Sequence, residues 1–140
     1  IELAGVLTVP YLETTEAVVA GLIYAWNTGS AADFADFFTE DADLVNSHGM
    51  HVRGRPAIAG LYAMLFHSVF ARASLHGSVT TRRTLSKDVE LVHVKANGSL
   101  RQGPSTVGEQ DMMISLVMTR RENRWMVESM HNTLVSEARR

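Results

Sequence analysis

The chain has 140 residues, a net charge of -2, 46% apolar and 20% charged residues, and no cysteine. That size and balance predict one globular domain, residues 1–140, with a single core. They exclude disulfides, thiolate metal sites and a Cys nucleophile, and the basic pairs Arg82-Arg83, Arg120-Arg121 and Arg139-Arg140 are too scattered to form a nucleic-acid surface.

No apolar run approaches the roughly 18 residues that a membrane span needs. No signal peptide is read at the N-terminus. The expectation is a cytoplasmic protein with neither membrane nor nucleic acid as partner.

Residues 1–12 read as a loose arm. Thr14-Thr15-Glu16 precedes a run in which Val18, Leu22 and Ala25 recur at helical spacing, predicting a buried helix over about 13–27. Gly21 either weakens this helix or permits close packing. Gly29 suits a left-handed C-cap, and Ser30 suits the N-cap of a second helix over about 31–39 with Phe34, Phe37 and Phe38 on one face. Asp43–Ser47 alternates as a strand does. His48-Gly49-Met50 reads as a turn and His51-Val52-Arg53 as a short return strand.

Pro56 opens a third helix that runs to about Phe70, with Ile58, Leu61, Leu65 and Val69 on one face. From Ala73 onward the pattern is β. Ser74–Leu85 and Val89–Asn97 are joined by Ser86-Lys87-Asp88. Residues 97–108, with Gly98, Gly103, Pro104 and Gly108, read as a long flexible connection. Asp111–Arg120 and Arg124–Val135 are two further strands, and 136–140 is a tail. Helices followed by an antiparallel meander predict an α+β fold, the helices packed on one face of a curved sheet.

Several segments carry a family resemblance. They are Ala25-Trp26-Asn27-Thr28-Gly29, Phe34-Ala35-Asp36-Phe37-Phe38, Asp41-Ala42-Asp43-Leu44-Val45-Asn46, Arg53-Gly54-Arg55, Arg124-Trp125-Met126-Val127 and Met130-His131-Asn132-Thr133. In this order and spacing they resemble SnoaL-like proteins, most closely the SgcJ/EcaC type. The resemblance implies the nuclear transport factor 2-like fold: a cone-shaped barrel of curved, mostly antiparallel sheet wrapped around three N-terminal helices. It also implies a homodimer built on the outer sheet face. The SgcJ-type resemblance implies an accessory role in enediyne polyketide and antibiotic biosynthesis, with a polyketide synthase as the expected partner. In the ketosteroid isomerases of this superfamily an Asp base, a Tyr donor and an assisting acid do the chemistry. The matching positions here are Asn46, Leu22 and Met112, which leaves those roles empty.

Strand parity places further side chains. Met112, Ile114, Leu116 and Met118 share one face of their strand, and Met126, Glu128, Met130 and Asn132 share one face of the next. By resemblance the Asn132 face lines the cone and the His131 face meets the dimer partner. Met112, Met118, Met126 and Met130 then make an adaptable apolar wall, because thioethers accommodate irregular ligands. Trp26, Asn46, His93, His131 and Asn132 complete the candidate ligand contacts.

His48 and Glu128 are the candidate acid–base couple, expected to meet across the mouth of the cone. No metal is expected, since His48 and His51 lack the usual zinc spacing. No dinucleotide, nucleotide or serine-hydrolase motif is present, so no cofactor is expected. The leading expectation is an accessory protein that holds a hydrophobic polyketide or polyene intermediate in the cone. The competing one is a cofactor-free cyclase or isomerase that uses His48 and Glu128. A purely structural dimerisation module, with the cone filled by side chains, is the third.

Overall fold

A computed structural model describes residues 13–102 and 104–136. The arm expected over 1–12 and nearly all of the expected tail lie outside the described residues. Helix α1 spans Thr15–Thr28, α2 Ala31–Asp36 and α3 Arg55–Phe66; the strands are β1 (Phe38–Val45), β2 (His51–Arg53), β3 (Ala73–Ser86), β4 (Val89–Gln102), β5 (Ser105–Arg121) and β6 (Arg124–Leu134).

Local chemistry sets the first boundaries. The Thr14 side chain accepts a hydrogen bond from the Ala17 amide and starts α1, while Gly29 closes it at φ 72°. Ser30 accepts from the Asp33 amide and caps α2. Inside α1, Gly21 leaves room for the Phe37 ring, whose Cζ would clash with a Cβ at that position. The close-packing alternative for that glycine is the one realised.

Helix α2 ends three residues sooner than the apolar spacing suggested, because Phe38 already belongs to β1. The Phe37 carbonyl accepts from the Val127 amide at 2.8 Å, and the Phe38 carbonyl accepts the Arg55 guanidinium through Nε and Nη2 at 2.9 and 2.8 Å. These long-range bonds outweigh the local helical preference. Helix α3 stops at Phe66 rather than near Phe70, and it buries Ile58, Tyr62 and Phe66 in place of the expected Ile58-Leu61-Leu65-Val69 face.

The sheet order is β2-β1-β6-β5-β4-β3. The β1–β6 pair is parallel and the others are antiparallel. Two strands remain at the edges, so the cone is an open, curved sheet and does not close into a barrel. At the β3 edge, Asn27 bonds the Leu75 carbonyl and amide at 2.8 and 2.7 Å, tying the end of α1 to the rim.

Two expectations about the strands are corrected. The Gly-rich stretch 97–108 is not a long loop: β4 runs to Gln102, β5 starts at Ser105, and Gly98 and Gly108 sit inside strands opposite Gln110 and Leu100. Glycine here thins the wall of the cone without ending the ladder. In β6 the register shifts, with Val117 opposite Ser129 but Met118 opposite Val127, so Glu128 is the extra residue of a bulge. The bulge swaps the faces. Trp125 and Val127 are buried on one side of it, and Met130 and Asn132 face the cone on the other.

Helices α1, α2 and α3 cover the concave face and form the core with it. Phe34, Phe38, Leu44, Ile58, Leu116 and Met118 are its largest fully buried side chains. An aromatic column runs through it: Phe34 lies 5.4 Å from Phe38 and 4.4 Å from Tyr62, Tyr62 5.7 Å from Phe66, and Trp26 5.7 Å from Phe66 and 4.9 Å from Phe70. Among the described residues no helix is long and apolar enough to cross a membrane.

Candidate functional site

The concave face of β4, β5 and β6 is built in tiers of cross-strand neighbours. From the rim inward they are Gly98–Gln110, Ala96–Met112–Leu134, Val94–Ile114–Asn132 and Val92–Leu116–Met130. Beyond them Met118, Val127 and Trp125 fill the apex. The space between these tiers and the helices is a cavity of about 510 Å³. This volume lies within the range of small-molecule sites. Leu22, Trp26, Phe34 and Phe70 supply the helical wall, and exposed rim residues such as His48, Leu100 and Gln110 mark the opening. The cone is therefore not filled by side chains.

Of the expected ligand contacts, Trp26, Asn46, Met112, Met130 and Asn132 line the cavity, as do His48 and Leu22. Met118 is fully buried in the apex below it. Met126 lies outside the lining because the bulge moves Trp125 and Val127 to the inside. His93 and His131 stand in one cross-strand row through Ser115 and also lie outside the lining.

The proposed couple of His48 and Glu128 is not brought together. The Glu128 carboxylate accepts from Thr39, Thr119 and Arg121 at 3.3, 3.2 and 3.2 Å, a set created by the bulge. His48 sits on the exposed turn after β1. That turn is held by the Asn46 side-chain oxygen, which accepts from the amides of His48 and Met50, both at 2.9 Å. Asn46 thus spends its acceptor on the backbone and keeps only its NH2 for other partners. His51 pairs with Asp43 at 2.7 Å, away from His48. Among the described residues no three His, Asp or Glu side chains converge.

Tyr62 is the site residue that the sequence reading passed over. It is 4% exposed and lines the cavity beside Asn132. The available signal was its place four residues after Ile58, which on a helix puts both on one face. Burial pushes the phenol from 10.0 up to about 12, and the neighbouring Asn132 side chain pulls it back in part. The folded protein therefore holds this proton more tightly than the unfolded chain does. The stability due to the neutral, buried phenol is fully present below pH 10.0 and is lost as the pH rises through about 12. A gap of that size corresponds to about 2–3 kcal/mol. Denaturant unfolding between pH 8 and 12 will show a steeper loss for the parent protein than for Tyr62→Phe; parallel curves would contradict this.

Fold and site together define a cystatin-like, nuclear transport factor 2-like α+β domain with an apolar cone open at one end. The chain belongs to the SnoaL-like domain family, whose description matches residues 19–127. A domain of unknown function with a cystatin-like fold from Nostoc punctiforme is 30% identical, covering 87% of this chain and 75% of that one, with a TM-score of 0.80. An uncharacterised cystatin-like protein from Caulobacter vibrioides is 25% identical over 86% of each chain, with a TM-score of 0.76. A putative scytalone dehydratase from Novosphingobium aromaticivorans is 14% identical, covering 82% of this chain and 77% of that one, with a TM-score of 0.69, and so shares the fold alone. No curated protein matches the sequence.

Proposed function

We propose that this protein binds a hydrophobic small molecule in the cone and serves polyketide assembly as an accessory protein. The enediyne setting suggested by its SgcJ/EcaC-like segments is part of that reading. The observation that carries it is the cavity of about 510 Å³ whose wall is mainly Leu, Val, Ile, Met and aromatic side chains. Its titratable lining residues are Tyr62 inside and His48 and Glu109 toward the rim. An apolar wall with few polar groups favours retention of a greasy ligand over proton transfer to a charged one.

Trp26 provides the test, because it lines the cavity and its fluorescence responds to what lies against it. Titration with a conjugated polyene will quench the parent protein and will quench Trp26→Phe much less. No binding at high micromolar polyene would remove the proposal.

Cyclase or isomerase chemistry would have to rest on His48, since Glu128 is engaged by Thr39, Thr119 and Arg121. A homodimer through the outer sheet face, where His93, Ser115 and His131 stand in register, belongs to the same proposal. So does docking to a polyketide synthase.

A further inference from the structure

The tier Val94–Ile114–Asn132 places one polar side chain deep in an apolar cavity. The Asn132 Oδ1 is buried and has no hydrogen-bond partner among the described residues. Its amide neighbours the Tyr62 phenol, which burial keeps protonated and able to donate. Buried polar groups in native proteins are nearly always paired, and an unpaired one is costly. The Asn132 side chain lines the cavity, so a turn of its amide offers that atom to whatever enters.

We infer that the cone selects an uncharged, apolar molecule carrying one hydroxyl group, which docks between Asn132 and Tyr62; this rests on the ligand-binding reading above. A hydroxyl both donates and accepts, so it can give its hydrogen to the Asn132 Oδ1 while receiving the Tyr62 O–H. An ether or hydrocarbon leaves the Asn132 acceptor empty. A carboxylate brings only acceptors and a charge into a region with no cation among its lining residues, where burying charge is expensive.

The same tiers set where the hydroxyl sits on the ligand. Below Asn132 there is only the Leu116–Met130 tier before the filled apex. Above it the cavity runs from Ile114 to Gln110, four strand residues or about 13 Å at the usual rise. The hydroxyl therefore belongs near the buried end of the molecule, with about 13 Å of apolar body reaching toward the rim.

Three probes that differ only at the head group decide this: 1-decanol, decyl methyl ether and decanoate, titrated at pH 8 by Trp26 fluorescence. The parent protein is expected to bind decanol about ten-fold more tightly than either of the others, the discrimination worth one buried hydrogen bond. Asn132→Leu, similar in shape, will reduce the decanol-to-ether ratio to about two-fold or less. If that variant fails to fold, Asn132→Val supplies the same reading, with the ratio again falling. Equal binding of decanol and ether by the parent protein, or an unchanged ratio in the variants, would overturn the inference while leaving the apolar-ligand reading intact. No binding of any of the three at high micromolar would overturn both.

Discussion

Ala96→Phe will leave the domain folded and abolish uptake of apolar ligands. Ala96 lies on β4 in the tier with Met112 and Leu134, and it is 3% exposed because the walls of the cone surround it. Its small side chain is one reason the cavity exists. A benzyl group there must push past its close neighbours into the adjoining cavity of about 510 Å³. Overpacking a filled core typically costs about 1–3 kcal/mol, and the adjoining cavity keeps the cost at the lower end of that range. The added ring bars the route from the rim tier to the Asn132 tier. A loss of about 100-fold or more in polyene affinity is expected, equivalent to about 3 kcal/mol, with a melting temperature within a few degrees of the parent. Retained affinity in a folded variant would mean that ligands bind elsewhere.

Phe34→Ala carries the largest expected cost to stability. The side chain is 1% exposed and stacks 4.4 Å from Tyr62 and 5.4 Å from Phe38, linking α2 to α3 and β1. Removing a buried Phe typically costs about 3–5 kcal/mol, from lost transfer energy and the void left behind. The void here joins the existing cavity, so the walls have little reason to collapse into it. Against a total stability of about 5–15 kcal/mol this is a large fraction. Calorimetry will show a fall of roughly 10–20 °C in the melting temperature. A change under about 1 kcal/mol would mean that the aromatic column is not what joins the helices to the sheet.

The positions that match the steroid-isomerase residues illustrate what local reading achieves. Asn46, Leu22 and Met112 all line the cavity. The resemblance set them against the isomerase residues, and their identities argued against that chemistry. Tyr62 shows the limit of the same approach. A tyrosine in an apolar helix reads equally well as core or surface until the packing partner of that face is known.

Much of the architecture was determined by the chain itself. Capping residues Thr14, Ser30 and Gly29, the turn at Asn46–Met50 and the alternating β pattern after Ala73 are local devices, and local devices are legible from neighbouring residues. The α+β class followed from their order. Tertiary structure alone decided where β1 begins, how far β4 and β5 run toward each other and which faces of β6 turn inward. Phe38 entered β1 because Val127 and Arg55 hold its end of the strand from far along the chain. Gly98 and Gly108 stayed in the ladder because their partners across the strands do. The single bulge at Glu128 reversed the parity of half of β6, taking Glu128 and Met126 away from the cone and leaving Met130 and Asn132 within it. A side-chain period of two carries no record of a one-residue slip, since the slip is set by pairing with another strand. The candidate site depends on that slip.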